Sequence, residues 1–327
     1  MAGYSVKDTN GNTVIVGQAP IEDPTIYVDD TNGNDANSGA SAGSGNALKT
    51  LQAAAAKLNG AQIKGVATIN VAAGTYYASS FTLDNTSVDE VKILGAGSGT
   101  TILSGAANSG AATTAAQDHI INITECTINE LKIKDVKIQY AQEANVYLRN
   151  VSGRVSLEDC VVGECQSSAT TSFQFVNGCV VADTVGELEI DGCTIENSQS
   201  HCVVANRSRV QMSNSASTLQ FPSNGADTMG HCLTLMREAY LEINVNGCVF
   251  KGNGANGAGY DAYGLWIIFY SKVIMWTGAD GCTLINLKEG RRSQHESKLV
   301  LANASGITYT DCQTNITELS GSETIDP

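Results

Sequence analysis

The sequence predicts an all-β fold, a right-handed parallel β-helix closed at its start by one capping α-helix. Short segments alternate apolar with polar residues, one Ala- and Leu-rich segment has helical spacing, and a corner pattern recurs about every 25 residues. Periods of roughly 20 to 50 residues are typical of solenoids and propellers. The short strands and the single helix favour a coil made of strands.

The composition indicates a folded chain with many turns. Hydrophobic residues make up 42% of the 327 residues and charged residues 16%, which supplies enough apolar surface for a core. The chain has 33 glycines and 4 prolines, so tight turns are frequent. We expect one coiled domain rather than a linker-rich or fibrous protein.

The charge balance and the apolar pattern exclude two classes of partner. Lys and Arg total 19 against 33 Asp and Glu, a net charge of -14, which argues against nucleic acid as the partner. No run of eighteen apolar residues predicts membrane insertion. The start, Met1 to Lys7, lacks the pattern of a signal peptide, so we expect synthesis in a cytoplasm and release by lysis or within a particle.

The chain divides into three segments by pattern. Residues 1–24 are expected to form an N-terminal arm, in which the apolar run 13–17 after Asn10-Gly11-Asn12 predicts a small hairpin. Residues 25–315 are expected to form the β-helix. Residues 316–327 are expected to form a C-terminal tail.

The capping helix is predicted over residues 46–58. This segment has no Gly or Pro and is rich in Ala and Leu, with Asn46 as the expected N-cap. Leu51 and Leu58 share one face with neighbouring apolar residues, and Asn59-Gly60 supplies the stop signal. We expect this helix to cover the core exposed at the first turn of the coil.

The corner pattern is apolar-x-apolar-x-x-(Cys or Val)-x-apolar, in which one strand ends at a corner and another begins. Matched positions Ile123 and Leu148 are 148 - 123 = 25 residues apart. Residues Ile133 and Leu157 are 24 apart by the same count. The clear copies begin at Ile121, Leu131, Val155, Leu188 and Ile243.

Six of the ten cysteines fall into two expected groups. None has the Cys-x-x-Cys spacing of a zinc site. Three keep the parity of the core positions and are expected to stack inside the coil: Cys160, Cys193 and Cys248. Three others fall outside the repeat, nearer to loops and to the edges of a rung, which is one turn of the coil. They are the candidates for disulfides between subunits: Cys165, Cys202 and Cys232.

The segment from Gly259 to Trp276 breaks the alternation. If Leu265 and Ile267 face the core, then the residues between and around them form an exposed apolar stripe. The members of this expected stripe are Tyr263, Trp266, Ile268, Tyr270 and Trp276. A subunit interface is the favoured interpretation, an aromatic platform for sugar rings is the alternative, and an internal wide turn is the third.

The segment that precedes the repeats resembles the opening of the pectate-lyase-like superfamily, which includes pectin-degrading enzymes and phage tailspikes. The matching string covers about eighty residues: Tyr27-Val-Asp-Asp30, Asn32-Gly-Asn-Asp35, Ser38-Gly39, Lys49-Thr-Leu-Gln-Ala-Ala54, Ile69 to Tyr76, Leu94-Gly-Ala-Gly97 and Thr101 to Gly105. The resemblance implies the fold, and phage members imply a homotrimer. It implies no single activity, since one fold carries many functions.

An enzyme of that superfamily is expected to carry carboxylates and basic groups on one outer face, acting on a glycan or binding calcium. The candidate groups are Asp118 with His119, Glu189 and Asp191 with Glu196 and His201, His231 with Arg237 and Glu238, and Arg291 and Arg292 with His295 and Glu296. Each group also fits an ordinary turn or exposed pair. We therefore assign no catalytic residue and no cofactor, and Ca²⁺ only if the glycan-active alternative holds.

Three functions remain open from the sequence. The first is a structural protein of a bacteriophage virion, a self-associating rod that contacts other virion proteins. The second is an extracellular or tailspike-type lyase or glycoside hydrolase that degrades polysaccharide. The third is a noncatalytic adhesin that binds a cell-surface polysaccharide.

Overall fold

The fold is a parallel β-helix, as predicted. The computed structural model describes residues 4–7, 13–16, 21–59, 63–111, 113–166, 178–198, 201–220, 231–252, 263–275, 282–285, 289–293, 296–301, 307–310, 314–318 and 323–325. Within these ranges the strands stack in register into three ladders, which we call faces A, B and C. Each turn of the coil contributes one strand, or half of a long strand, to a face.

Face A is the ladder of strands that begins at Phe81. Its strands are β8 (Phe81–Asp84), β11 (Gln117–Thr124), the first half of β14 (Ala141–Glu158), the first half of β16 (Gly178–Asp191), β18 (His201–Asn206), β21 (His231–Met236), β24 (Tyr263–Ile267), β27 (Glu289–Ser293) and β30 (Thr314–Glu318).

Face B follows face A around a short corner. Its strands are β4 (Thr25–Val28), β6 (Val66–Val71), β9 (Ser87–Leu94), β12 (Thr127–Lys134), the second halves of β14 and β16, β19 (Arg209–Met212), β22 (Tyr240–Ile243), β25 (Lys272–Met275), β28 (Lys298–Leu301) and β31 (Glu323–Ile325).

Face C is a nine-stranded sheet of short strands. They are β7 (Gly74–Tyr76), β10 (Thr101–Ser104), β13 (Lys137–Gln139), β15 (Val161–Gly163), β17 (Thr194–Glu196), β20 (Thr218–Gln220), β23 (Val249–Lys251), β26 (Cys282–Ile285) and β29 (Ile307–Thr310). Inward residues of the three faces form one continuous apolar cluster along the coil.

The corners explain why the repeated pattern has its spacing. The residue just before the inward Cys or Val has a left-handed backbone at Glu125, Asp135, Asp159, Gly192 and Gly247, with φ of 54°, 57°, 52°, 61° and 83°. One left-handed residue turns the chain sharply, so two inward side chains can lie on either side of it. The corner pattern is thereby confirmed.

The capping helix is shorter than predicted. Helix α1 spans Leu51–Leu58, and its N-cap is Thr50, whose side chain accepts a hydrogen bond from the Ala53 amide. Asn46 is not the cap because the chain around Leu48 is extended and bonds to β4: the Leu48 amide donates to the Tyr27 carbonyl at 2.8 Å. Sheet pairing therefore overrides the helical propensity of the first five residues.

The two chain ends differ from each other. The predicted hairpin is confirmed, since β1 (Tyr4–Lys7) pairs antiparallel with β2 (Thr13–Val16). The coil itself starts with β3 (Ile21–Glu22), which pairs with β5 (Ile63–Lys64). At the other end, β30 and β31 continue faces A and B beyond residue 315, where a tail was expected. No helix in the described ranges is long and apolar enough to span a membrane.

Candidate functional site

The outer surface of face B carries an ordered set of charges. We call it the charge lattice; its members are Glu130, Lys132, Arg154, Glu158, Glu187, Glu189, Arg209 and Glu242. Strand register places these residues side by side on consecutive rungs. Lys132 pairs with Glu158 at 2.7 Å, and Arg209 pairs with Glu187 at 3.1 Å and with Glu242 at 2.7 Å. Each bridge of Arg209 therefore ties two rungs together.

Arg154 has the same bridging role two rungs earlier. Its guanidinium lies 2.9 Å from Glu130 on one neighbouring rung and 3.3 Å from Glu189 on the other. Glu189 also accepts hydrogen bonds from Ser213 and Asn214. Alternation along β16 predicts that Glu189 points outward, and it does, but these partners leave the residue only 5% exposed.

The lattice changes the acidity of its members. Burial raises the pKa of Glu158, but the hydrogen bond and charge of Lys132 act in the opposite direction and hold that pKa below its usual value. Hydrogen bonding to Glu130 raises the pKa of Arg154, and hydrogen bonding to Glu242 raises that of Arg209. The lattice thus stabilises the charged form of each of these groups.

An open cleft of about 520 Å³ runs along the corner between faces A and B. Its floor is made of small and apolar residues, among them Val151, Val185 and Ser208. Its rim carries polar side chains from successive rungs: Asn150, Ser152, Thr184, Arg207, Arg209, Glu238 and Tyr240. Arg207 and Arg209 are exposed, so the cleft offers cations and hydrogen-bond donors to an extended ligand.

A third cluster lies on the outer side of face A and combines histidines with aromatic rings. The ring of His119 stacks on Tyr147 at 4.5 Å, with Nε2 lying 3.5 Å from Glu143. Further along, the ring centroids of His201 and His231 are 5.0 Å apart, and those of His231 and Trp266 are 4.5 Å apart. His231 thus contacts a ring on each of its two neighbouring rungs.

Burial controls the acidity of these histidines. It lowers the pKa of His201 to about 4, because the imidazolium would be cut off from water. Burial also lowers the pKa of His119, while Glu143 opposes that shift. The Thr234 hydroxyl lies 3.3 Å from Nδ1 of His201. His201 is therefore a neutral, hydrogen-bonded side chain near pH 7.

The structure separates the members of the expected aromatic stripe. Trp266 is half-buried against His231, Ile268 is 1% exposed, and Tyr270 is 62% exposed. Ile268 packs with Met236, and Val204 belongs to the same small apolar cluster on the outer side of face A. Ile268 therefore does not contribute to an open surface, which corrects that expectation.

The reason is a break in strand geometry. β24 ends at Ile267, and both Phe269 and Tyr270 have a left-handed backbone, with φ of 54° and 63°. Alternation cannot be extrapolated through two such residues. Tyr263 lies in β24 in register with His231, and Trp276 lies outside the described residues.

The cysteines lie inside the coil. Cys160, Cys193 and Cys248 are buried, as predicted. Cys165, Cys202 and Cys232, the candidates for disulfides between subunits, lie beside connections between strands but are each 0% exposed. The register of β16, β18 and β21 places Cys202 beside Cys232 on the neighbouring rung. The two side chains therefore stack as core residues. No disulfide joins the nine cysteines in the described ranges.

The coil places some members of the ionisable groups proposed from the sequence on different faces. Glu189 and Asp191 lie on face B and share Asn214 as a donor, whereas His201 lies on face A beside His231. Asp118 and His119 are sequence neighbours on β11. In the part of the chain that the structure describes, no three His, Cys, Asp or Glu side chains come together as metal ligands.

Comparison with solved structures finds distant neighbours. The crystal structure of the pectin methylesterase from Aspergillus niger is 14% identical with a TM-score of 0.42, covering 94% of this chain and 87% of that chain. The protein ORF18 of Geobacillus virus E2 is 14% identical with a TM-score of 0.43, and the match covers 85% of this chain and 58% of that one. No family model and no curated protein sequence matches the chain. The strand register, not these neighbours, establishes the fold.

Sequence reasoning missed both the charge lattice and the corner cleft. The lattice joins residues 22 to 35 positions apart, as in Arg209 with Glu187 and Arg154 with Glu189. A signal was present in the alternating charges of β12, β14 and β16, which fall on outward positions. It could be used only once the register of each rung was known.

Proposed function

We propose that the protein is a structural component of a bacteriophage virion, a rigid rod that acts through its shape and its contacts rather than through catalysis. The charge lattice carries this proposal. It runs along the rod axis on one face and ties consecutive rungs to each other through Lys132, Arg154 and Arg209. Networked pairs of this kind stabilise a coil more than isolated surface pairs do.

The acidity and the burial of the carboxylates in the charge lattice do not suit acid–base catalysis. A general acid needs a raised pKa, and a base or calcium site needs carboxylate oxygens open to the ligand. Glu158 has a lowered pKa, and Glu189 is covered by Arg154 and Ser213. These acids are engaged in holding rungs together.

Self-association belongs to the same proposal. A homotrimer would cover Tyr270, whose 62% exposure is unusual for a large aromatic side chain, together with the half-buried Phe269 beside it. Light scattering on the purified chain should give three times the 34.1 kDa chain mass. A monomer mass at micromolar concentration would contradict the proposed trimer.

Two experiments test the virion role. Incubation with a panel of polyuronides and capsular polysaccharides should release neither reducing nor unsaturated ends; release of either overturns the structural assignment. Mass spectrometry of phage particles purified from cells that encode the chain should detect it at the level of a structural protein. Particles that lack the chain would contradict the proposal directly.

A second candidate function is noncatalytic binding of a surface polysaccharide, and the corner cleft favours it. The cleft is elongated, open and lined by donors from four consecutive rungs, as an extended polar chain requires. Retention on immobilised capsular polysaccharide, lost in Arg207→Gln and kept in Arg149→Gln, would support it. Arg149 is the matched control because it is exposed and does not line the cleft.

A further inference from the structure

A column of small side chains occupies the inner corner between faces B and C. Each member directly precedes, or in one case starts, a strand of face C, and the register of those strands stacks the members on consecutive rungs. In order along the rod they are Val136, Cys160, Cys193, Ser217, Cys248 and Cys282. Four of the six are therefore thiols, and all four are at most 1% exposed.

The four thiols form two adjacent pairs with the same backbone geometry. The Thr194 amide, next to Cys193, donates to the Cys160 carbonyl at 2.9 Å, and the Thr283 amide, next to Cys282, donates to the Cys248 carbonyl at 2.9 Å. In each pair the neighbouring thiol is the largest cause of a raised pKa: Cys160 raises the pKa of the Cys193 thiol, and Cys248 raises that of the Cys282 thiol. Neighbouring strands are about 4.8 Å apart, within the Cα separation of roughly 4.4 to 6.8 Å that disulfides span.

Ser217 makes the pairing within this column unambiguous. It lies between Cys193 and Cys248: the Thr218 amide donates to the Cys193 carbonyl at 2.8 Å, and the Val249 amide donates to the Ser217 carbonyl at 3.0 Å. On the other side of Cys160 lies Val136. Each thiol of the column thus has one cysteine neighbour along it.

We propose that Cys160 with Cys193, and Cys248 with Cys282, are two sites of disulfide formation between neighbouring rungs of the same chain. The oxidant is a small-molecule disulfide of the glutathione class. One cysteine thiolate attacks it, forming a mixed disulfide and releasing one glutathione thiolate. The second cysteine attacks the mixed disulfide and releases the other. The two protein thiols lose two electrons and two protons, and the oxidant gains them.

This inference goes beyond the proposed virion role and does not depend on it. The buried thiols meet an oxidant while the rungs are still closing, so the reaction belongs to folding or to local opening of the coil. In a reducing cytoplasm the pairs stay as thiols, and in an oxidising medium they become covalent links between rungs. The links lie within one subunit, unlike the intersubunit disulfides expected from the sequence.

The test refolds the full chain from urea in a mixture of oxidised and reduced glutathione. Free thiols are then alkylated, and the protein is digested without reduction for mass spectrometry. We expect cross-linked peptides that join Cys160 to Cys193 and Cys248 to Cys282, each two hydrogens lighter than the reduced pair. We also expect a higher urea midpoint than for the same sample after reduction.

The Cys193→Ala variant supplies the matched control. Cys160 should then be alkylated, while the Cys248–Cys282 link persists and reports that the coil has folded. Alkylation or glutathionylation of both Cys160 and Cys193 in the refolded wild-type chain, with native far-UV circular dichroism, overturns the proposal. So does a link from Cys160 to a cysteine outside the column in the wild-type chain.

Discussion

The guanidinium of Arg154 lies 3.3 Å from the carboxylate of Glu189 on the next rung, and it covers a glutamate that is only 5% exposed. Removing a partner from such a pair leaves a desolvated charge behind, which costs more than the pair itself contributes. The stability of the coil should therefore depend on the Arg154 side chain, although that side chain lies on the surface.

We expect Arg154→Met to lower the free energy of unfolding by about 1–2 kcal/mol, measured by urea denaturation. This expected loss of stability is smaller than for a fully buried ion pair, because the Arg154 side chain is 42% exposed. Arg149→Met is the matched control, since Arg149 and Glu125 are both exposed and 3.5 Å apart. Its expected loss is below about 0.5 kcal/mol, and equal losses in both variants would contradict the role of Glu189 burial.

We expect the free energy of unfolding to decrease at acidic pH because His201 becomes protonated. Its pKa is lowered to about 4 in the folded chain from an ordinary 6.5, so the unfolded chain takes up the proton first. The stabilisation from neutral His201 is complete above pH 6.5 and is lost as the pH falls towards 4, by about 3 kcal/mol in total.

The difference between wild-type and His201→Gln unfolding free energies, followed from pH 7 to pH 4, isolates this effect. Glutamine stays neutral and can still accept from Thr234, so the variant should lack this part of the acid sensitivity. Parallel pH profiles for the two proteins would contradict the prediction. The profile also separates His201 from the carboxylates, which both proteins retain.

Gly153 should resist substitution because two effects act there together. Its φ is +99°, and a Cβ atom would lie 2.0 Å from the Ile128 carbonyl oxygen of the neighbouring rung. We expect Gly153→Ala to cost at least about 2 kcal/mol in thermal or urea unfolding. Gly43→Ala, with φ of +90° and no atom within 4 Å of the added Cβ, should cost about 1 kcal/mol. Equal costs would mean that the clash is relieved by movement of the rung.

The N-cap of α1 distinguishes the structure from the sequence prediction. Thr50→Ala removes the side-chain acceptor of the Ala53 amide and the donor to Asp35, so we expect a loss of about 1 kcal/mol. Asn46→Ala should change stability by less than about 0.5 kcal/mol. Urea unfolding of both variants tests this, and the reverse order of effects would restore Asn46 as the cap.

The thiols at Cys165, Cys202 and Cys232 should be protected in the native protein. They are 0% exposed, and thiol reagents attack the exposed thiolate. We expect iodoacetamide followed by peptide mass spectrometry to label them in urea but not in buffer, and non-reducing gels to show no dimer through them. Rapid labelling of Cys202 in buffer would place it at the surface.

Much of the fold could be predicted because its signals are local. The alternation in β12 and the corner before Val136 each depend on fewer than ten consecutive residues, and both are found as expected. The predictions failed where a local rule was extended past its range. The helix was extended into residues that pair with β4, and alternation was extended past Ile267 into two left-handed residues.

The candidate sites depend on neighbours that the sequence does not mark. His201 and His231 are thirty positions apart, and they meet because the connection between β18 and β21 has the length that brings Val203 into register with Leu233. The two cysteine pairs and the lattice around Arg154 arise in the same way. The length of each connection decides which side chains become neighbours.

The sequence by itself determined that this chain coils: period-two alternation selects the inward side chains, and the recurring corner pattern marks where one strand ends and the next begins. The tertiary structure alone decided which of those side chains stack, and therefore where charges, thiols and histidines meet. The physical reason is that alternation and turns are properties of a few adjacent residues, whereas stacking is set by the backbone hydrogen bonds between rungs, and these join residues 22 or more positions apart.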